Sequence, residues 1–303
     1  MQYALAGAAH ACLQGCISNG VNQRPDPSSL RLVFYSDVHA RREWDTPLAL
    51  ERAAAAINAL APDIVLAGGD LITDGFQNPP ALAEERWAVY MAMRRAIDAE
   101  HHAAIGNHDL VAAIPEDGSR PSDDPRAAFR NHLGVERTYY SFDALGHHFM
   151  MLDSIQVLDF ESKYRGFIGP EQMEWVREDL STVSRATPIV VVLHIPLLTA
   201  FFQATEGAMA SAPPGRVVIN SKEVLDAFTE HNLALVLQGH LHAAEMLRWR
   251  NTTFITGGAI SGRWWRGSRH GTAEGFCSVT LSNGRVDWEY VDYGWKARRP
   301  ANA

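Results

Sequence analysis

The chain predicts an α/β fold built on largely parallel sheets covered by helices. Three observations carry that reading. Short apolar, β-branched runs alternate with Ala-rich helical stretches through the first hundred residues, the rhythm of βαβ units. Several of these runs end abruptly in glycine or in a polar motif, as strands do where a sheet delivers side chains to its carboxyl edge. After residue 242 the pattern changes to short strands broken by turn residues, which adds a β-rich end to the same core.

The elements follow in order. Residues 18–29 are polar and carry two prolines, a linker composition. A folded domain is therefore expected over 30–295, between a flexible segment 1–29 and a tail 296–303. Residues 32–35 form a buried strand that runs into Asp37 and His39, and 47–60 is Ala-rich and helical. Residues 64–67 are the next strand and end in Gly68-Gly69-Asp70; a helix over 81–98 and a strand at 103–105 lead to Gly106-Asn107-His108-Asp109. A Pro- and Asp-rich loop fills 116–125, and 138–142 with 148–152 read as a hairpin turning near Gly146. Pro170 sits where a helix starts, since its missing N–H has no partner in a first turn anyway. Residues 189–193 and 233–237 are two more buried strands, each followed by a motif histidine. Strands at 245–250, 253–256, 276–281 and 286–290 close the chain, with Asn283-Gly284 as a hairpin turn.

Composition narrows the function. A formal net charge of −8 counts against a stable nucleic-acid partner, which calls for a basic face. Cys12, Cys16 and Cys277 include no C-x-x-C pair, so neither a zinc knuckle nor a disulfide scaffold is implied; Cys277 reads as a small apolar residue in a late strand. Leu13-Gln14-Gly15-Cys16 resembles a lipoprotein cleavage box after an Ala-rich stretch, without a preceding Lys or Arg. A periplasmic or lipid-anchored location is expected on that basis, with a cytoplasmic one as the alternative. No segment approaches the roughly 20 apolar residues of a transmembrane span.

The chemistry lies in five motifs: Asp37-Val38-His39, Gly69-Asp70, Gly106-Asn107-His108-Asp109, His194 and Gly239-His240-Leu241-His242. A lone Asp-x-His arises often by chance, and a lone buried His is usually a core residue. All five in order, each after a buried-strand pattern, resemble the calcineurin-like metallophosphoesterase superfamily. Gly166-x-x-Gly169-x-Glu171-Gln172-x-x-Trp175 is similar to a further pattern of that family. The resemblance covers about residues 30–261 and is nearest to the bacterial cyclic-nucleotide and glycerophosphodiester phosphodiesterases.

It implies a four-layer αββα sandwich with two mixed sheets flanked by helices, and two metal ions (Mn, Fe or Zn). Asp37, His39, Asp70 and His242 would hold the first ion. Asp70 would bridge to the second, completed by Asn107, His194 and His240. His108 would act on the leaving oxygen and Asp109 would orient its ring, while Asp74 reads as a similar support or as a solvated turn residue. The implied reaction is hydrolysis of phosphate esters, diesters favoured over monoesters, by water activated between the ions. The implied partners are a small phosphate ester and, as a further expectation, a second copy of the chain in a homo-oligomer; a non-catalytic scaffold is disfavoured because every ligand and His108 are present. Purple acid phosphatases carry Tyr and Gly where this chain has Thr73 and His39, so a tyrosinate-bound ferric ion is not expected. Arg41 and Arg42 are candidates for a phosphate oxygen, and residues 257–265, with Trp264 and Trp265, either line the pocket or pack under the sheet edge. His101, His102, His147 and His148 lie outside the motifs and are expected at polar strand ends.

Overall fold

The computed structural model describes residues 29–298. The first half contains β1 (Leu30–Tyr35), α1 (Thr46–Ala59), β2 (Ile64–Ala67), α2 (Pro80–Arg95) and β3 (Glu100–Ala103). It is followed by α3 (Ala127–Leu133), β4 (Tyr140–Ala144), β5 (His147–Met151), β6 (Ile155–Val157), β7 (Tyr164–Gly166) and α4 (Pro170–Thr182). The chain continues through β8 (Pro188–Val192), α5 (Phe201–Glu206), α6 (Ser221–Ala227) and β9 (Asn232–Gln238). It ends in β10 (Ala244–Trp249), β11 (Thr252–Gly257), β12 (Gly275–Ser282) and β13 (Arg285–Asp292).

Two mixed sheets form the middle of the molecule. One has the order β13-β12-β1-β2-β3 and the other β10-β11-β9-β8-β5-β4. In the first sheet β1, β2 and β3 are parallel, with β3 at one edge and antiparallel β12 and β13 at the other. In the second β5, β8, β9 and β11 are parallel, and antiparallel β4 and β10 close the two edges. Alternation along each strand explains the layering. Leu32, Phe34, Leu66 and Val279 of the first sheet form one apolar layer with Phe149, Met151, Val190 and Leu237 of the second. Tyr35 and Val65 point the other way and share a core with Leu50 and Ile57 of α1 and Trp87 of α2. Met150 and Val191 in the same way share a core with Val176 and Leu180 of α4. Helix, sheet, sheet, helix is the four-layer order expected from the sequence.

Local signals hold at several points. Proline occupies the first turn of α1, α2 and α4, and Asn283 and Gly284 have φ of 49° and 72°, the left-handed pair of a tight hairpin. Cys277 is fully buried between the sheets, and burial raises its thiol far above the ordinary range.

The departures have physical causes. β3 begins at Glu100 rather than near 103, because an edge strand tolerates Glu100-His101-His102 where an apolar run was sought. β6, β7, α3, α5 and α6 were not anticipated; each is too short to show a hydrophobic period. Among the described residues no helix is long and apolar enough to cross a membrane. The expectations for residues 1–28, with Cys12 and Cys16, and for 299–303 lie outside the described residues.

Candidate metal centre

The five motifs meet where the carboxyl ends of both sheets converge. Asp37 and His39 follow β1, Asp70 follows β2 and Asn107 to Asp109 follow β3; His194 follows β8, and His240 and His242 follow β9. The trailing backbones stay hydrogen-bonded past the strands: Asp37 N donates to Gly69 O at 3.0 Å and His39 N to Asp70 O at 2.9 Å. Gly239 N likewise donates to His194 O at 2.9 Å. Val38 and Leu241 are buried in the apolar core between the donors of their own motifs, so Asp37 with His39, and His240 with His242, can face one point.

The backbone is strained to do this. Asp37, His39, Asp70, His240 and His242 all have positive φ, from 47° to 72°, a region that costs a non-glycine residue about 1–3 kcal/mol. Two glycines allow the close approach. A Cβ on Gly106 would stand 2.0 Å from Asp70 N and 2.2 Å from its Oδ1. Gly69 has φ of 89°, and a Cβ there would lie 2.7 Å from Gly106 N.

Both aspartates are buried and divide their oxygens. Asp37 Oδ2 accepts from His240 N at 2.9 Å, and Asp70 Oδ1 accepts from His108 N at 2.8 Å. The other oxygens face imidazoles. Asp37 Oδ1 lies 3.1 Å from His242 Nε2 and 4.0 Å from His39 Nε2. Asp70 Oδ2 lies 3.1 Å from His194 Nε2 and 3.7 Å from His39 Nε2. Three donor groups are therefore linked in series: Asp37, His39 and His242; His39, Asp70 and His108; Asp70, His194 and His240.

The rings fit cation binding. His194 Nδ1 donates to Gly68 O at 2.8 Å, His240 Nε2 to Gly215 O at 3.0 Å, and His242 Nδ1 to Gly262 O at 2.5 Å. Each neutral ring thus spends its N–H on a carbonyl and turns a lone pair inward, the usual way a protein fixes a ligand tautomer. His194 Nε2 then faces His240 Nδ1 at 3.1 Å, and His39 Nε2 faces His242 Nε2 at 3.1 Å. The His194 and His240 nitrogens, whose N–H groups are both spent on carbonyls, bring two lone pairs to that distance and need a positive charge beside them. Burial favours neutral rings, yet Asp70 and Asp37 push His194 up to about 9. Burial and the His194 charge hold His240 low. The carboxylates demand a cation that the crowded imidazoles cannot all supply as protons. Asn107 agrees with this: it is 3% exposed, and its Oδ1 has no hydrogen-bond partner among the described residues.

The structure gives Asp109 other partners than the His108 ring and places Asp74, in the first of its two expected readings, beside that ring. Asp109 does not orient His108. Its Oδ1 accepts from Leu71 N at 2.7 Å and Ile72 N at 3.1 Å, and its Oδ2 accepts from Gly106 N at 2.8 Å. It ties the loop after β3 to the loop after β2. Burial first, and then the Asp70 charge, push its carboxyl up to about 7. Asp74 is the residue beside His108. Its N–H donates to His108 Nδ1 at 2.9 Å, and its carboxylate lies 3.5 Å from the same nitrogen. The neutral His108 ring then carries its proton on Nε2. The His108 side chain is 23% exposed, at the rim of an otherwise buried cluster.

The rim brings in residues of mixed legibility. Trp265 is buried, and its indole N–H donates to His39 O at 2.9 Å. Trp264 lies 4.3 Å from His242, ring centre to ring centre. Both have positive φ, 49° at Trp264 and 65° at Trp265; the loop lines the site at Trp264 and packs into the core at Trp265. Arg269 stands over the Trp264 ring at 4.8 Å, and Arg216 follows the Gly215 carbonyl that holds His240. Neither arginine was singled out from sequence; the basic run Arg263, Arg266, Arg269 in an acidic chain was the available signal. Arg41 and Arg42 instead pair with Glu43 and Glu85. His101, His102, His147 and His148 lie in β3 and β5 and belong to none of the donor groups. A cavity of about 720 Å³, walled by Leu225, Phe228 and Trp249 among others, includes none of the motif donors.

The chain matches the family model of the calcineurin-like phosphoesterases over residues 30–244. It is 31% identical over 147 residues to the probable purple acid phosphatase 20 of Arabidopsis thaliana, covering 46% of this chain and 30% of that protein. Purple acid phosphatase 22 of the same plant is 32% identical over 119 residues, covering 38% and 23%. The chain spans less than a third of the length of these curated relatives. In fold it resembles a dimetal phosphatase from Danio rerio, with a TM-score of 0.63 at 17% identity, covering 88% of this chain and 96% of that one. It also resembles the purple acid phosphatase PPD1 of yellow lupin (Lupinus luteus), with a TM-score of 0.58 at 18% identity, covering 88% and 52%. These curated relatives are purple acid phosphatases rather than the bacterial phosphodiesterases expected from the motifs, although Thr73 and His39 still differ from the purple acid phosphatase pattern. With the motif order, the meeting of the strand ends and the match over residues 30–244 in agreement, the chain belongs to the calcineurin-like phosphoesterase family.

Proposed function

We propose that the chain hydrolyses phosphate esters at a centre of two metal ions. The observation that carries this reading is Asp70 Oδ2, one carboxylate oxygen within 3.1 Å of a nitrogen in one donor group and 3.7 Å of a nitrogen in the next. Asp37, His39, Asp70 and His242 would hold one ion, and Asp70, Asn107, His194 and His240 the other. The nitrogen and oxygen set suits Mn, Fe or Zn. When bound, two such ions supply Lewis acidity to the phosphoryl oxygens and a nucleophilic water at neutral pH.

The chain's own part is positioning and proton transfer. Four backbone carbonyls hold rings or side chains in place: Gly68, Gly215 and Gly262 for the histidines, and His39 O for Trp265. His108 presents Nε2–H at the rim, where it would donate to the departing oxygen. That matters most for poor leaving groups.

The motifs favour diesters. A monoester reading is favoured by the names of the curated relatives, which are phosphatases. Initial rates on bis(p-nitrophenyl) phosphate and p-nitrophenyl phosphate, with protein stripped of metal and reloaded with Mn, Zn or Fe, separate the two. A metal-restored rate led by the diester supports the first reading, and one led by the monoester the second. No rate on either, with two ions bound, overturns the hydrolase.

A further inference from the structure

The loop of residues 258–274 leaves β11 in the second sheet and enters β12 in the first. It crosses between the sheets beside the first donor group and touches all three of its residues. Ile260 N donates to Ser36 O at 3.0 Å, and Ser261 Oγ donates to Asp37 O at 2.8 Å. Trp265 Nε1 donates to His39 O at 2.9 Å. Gly262 O takes the His242 Nδ1–H, and Thr272 Oγ1 takes the N–H of Ala244, two residues on, at 3.0 Å. Trp264 adds ring contacts: its centre lies 4.3 Å from that of His242 and 6.0 Å from that of His39. The His39 and His242 centres are 5.0 Å apart, so the three rings close a triangle. Arg269 stands 4.8 Å over the same indole.

The contacts are one-sided. Among the described residues, no hydrogen bond or ring contact of this loop reaches Asn107, His194 or His240. Those histidines are held by Gly68 and Gly215 instead. A carbonyl at Nδ1 fixes the tautomer of His242 but leaves the ring free to tilt about that bond, and a flat indole against it removes the tilt. His39 lacks even the carbonyl: its Nδ1 is buried and has no hydrogen-bond partner among the described residues. Its placing therefore depends on its own backbone and on the rings around it. The loop is strained to reach both histidines. Gly262, Trp264 and Trp265 have φ of 53°, 49° and 65°, and residues other than glycine hold that region only where the surroundings impose it.

We infer that Trp264 and Trp265 are positioning residues for the first ion alone. Trp265 fixes the backbone of His39, and Trp264 fixes the His39 and His242 rings. Changes in this loop then weaken one ion and spare the other. The inference rests on the two-metal reading, but metal uptake tests it without turnover.

The experiment is calorimetric titration of the metal-stripped protein with Mn, with elemental analysis of the product. The native protein is expected to take up two ions. In Trp264→Leu and in Trp265→Phe one of them should bind about 10- to 100-fold more weakly, the range for losing the support of a ligand, with the other unchanged. Trp264→Phe keeps a ring and should return part of the loss. Two backgrounds identify the ion. In His240→Ala the first ion remains and Trp264→Leu should weaken it; in His242→Ala the second remains and Trp264→Leu should leave it alone. A merely structural role would instead lower the melting midpoint of the metal-free protein and both affinities together. Equal weakening of both ions overturns the inference, as does native affinity in every tryptophan variant. If the buried Trp265→Phe fails to fold, the two Trp264 variants decide. Uptake of a single ion or none by the native protein defeats the two-metal reading, and the inference with it. The expected pattern with no ester turned over leaves the loop its role and removes the hydrolase.

Discussion

Asp74 and Asp109 show how two carboxylates near one histidine take different work from their surroundings. Asp109 is fully buried and collects three backbone N–H groups, from Leu71, Ile72 and Gly106. Asp109→Asn replaces one acceptor oxygen with a donor that faces an N–H. We expect it to cost about 1–3 kcal/mol of stability, the penalty for an unsatisfied buried group, and chemical denaturation measures this directly. Asp74 touches the ring itself, through its amide and its carboxylate. Asp74→Asn keeps the amide and removes the charge. We expect kcat to fall about 10- to 100-fold, the range for losing the support of a functional side chain, with two ions still bound and the melting midpoint little changed. An unaltered kcat would remove Asp74 from the mechanism. Gly106→Ala is the severe residue-scale change, because its Cβ would overlap the Asp70 backbone; loss of metal binding measured by calorimetry is the expected result.

At the scale of elements, the ion pairs of His148 link strand to strand and sheet to helix. His148 at the start of β5 bonds through Nδ1 to Asp143 of β4 and through Nε2 to Asp179 of α4, each at 2.8 Å. Its side chain is only 6% exposed. Burial opposes the charged ring, but Asp179 and Asp143 outweigh it and raise its pKa. Asp179 is lowered in return, burial opposing and His148 prevailing. A raised histidine contributes stability fully below its unfolded pKa near 6.5, and that contribution is lost as pH rises through the folded value. The lowered Asp179 loses its share only as pH falls through its own folded value. The pair is therefore worth most near pH 5.5. His148→Gln should lower the melting midpoint by about 2–4 °C there, the shift for roughly 1 kcal/mol in a chain of this size, and by less at pH 9. A gap that widened with pH would contradict the assignment. This link was not legible in the sequence, where His148 read only as a polar strand-end residue. Asp143 and Asp179 lie 36 residues apart in the chain, as the numbering shows, and no local pattern joins them. The long elements were legible because the central strands are nearly continuous apolar runs and the helices bury one face with a period of nearly four residues. β6, β7, α3, α5 and α6 lack the length for that.

Across the whole molecule, the centre joins the two sheets by polar groups rather than apolar ones. Asp37 and Asp70 come from the first sheet, and His194, His240 and His242 from the second. The donors were legible because their motifs sit directly after strands. Their pairing across the sheets was implied by the family resemblance, and the rim arginines were not read at all because they stand on loops without a period. The arrangement makes metal binding a clamp between layers, and its removal should loosen both together. Ions that bind only the folded chain add stability as RT ln(1 + [L]/Kd), about 2.7 kcal/mol at a hundred-fold excess over Kd for one site. We expect a chelator to lower the denaturation midpoint cooperatively, and Mn or Zn in excess to restore it. Asn107→Ala should retain the ion held by Asp37, His39 and His242 but bind the second weakly, so that about half of the metal-dependent stabilisation remains while turnover drops by orders of magnitude. His240→Ala should behave in the same way, because its Nδ1 faces His194 and not His39. Elemental analysis beside the unfolding curves decides the matter. Loss of both ions in the Asn107 and His240 variants would mean that the two donor groups fill as a single unit. Full retention of both, with undiminished turnover, would defeat the assignment of these residues to a second ion.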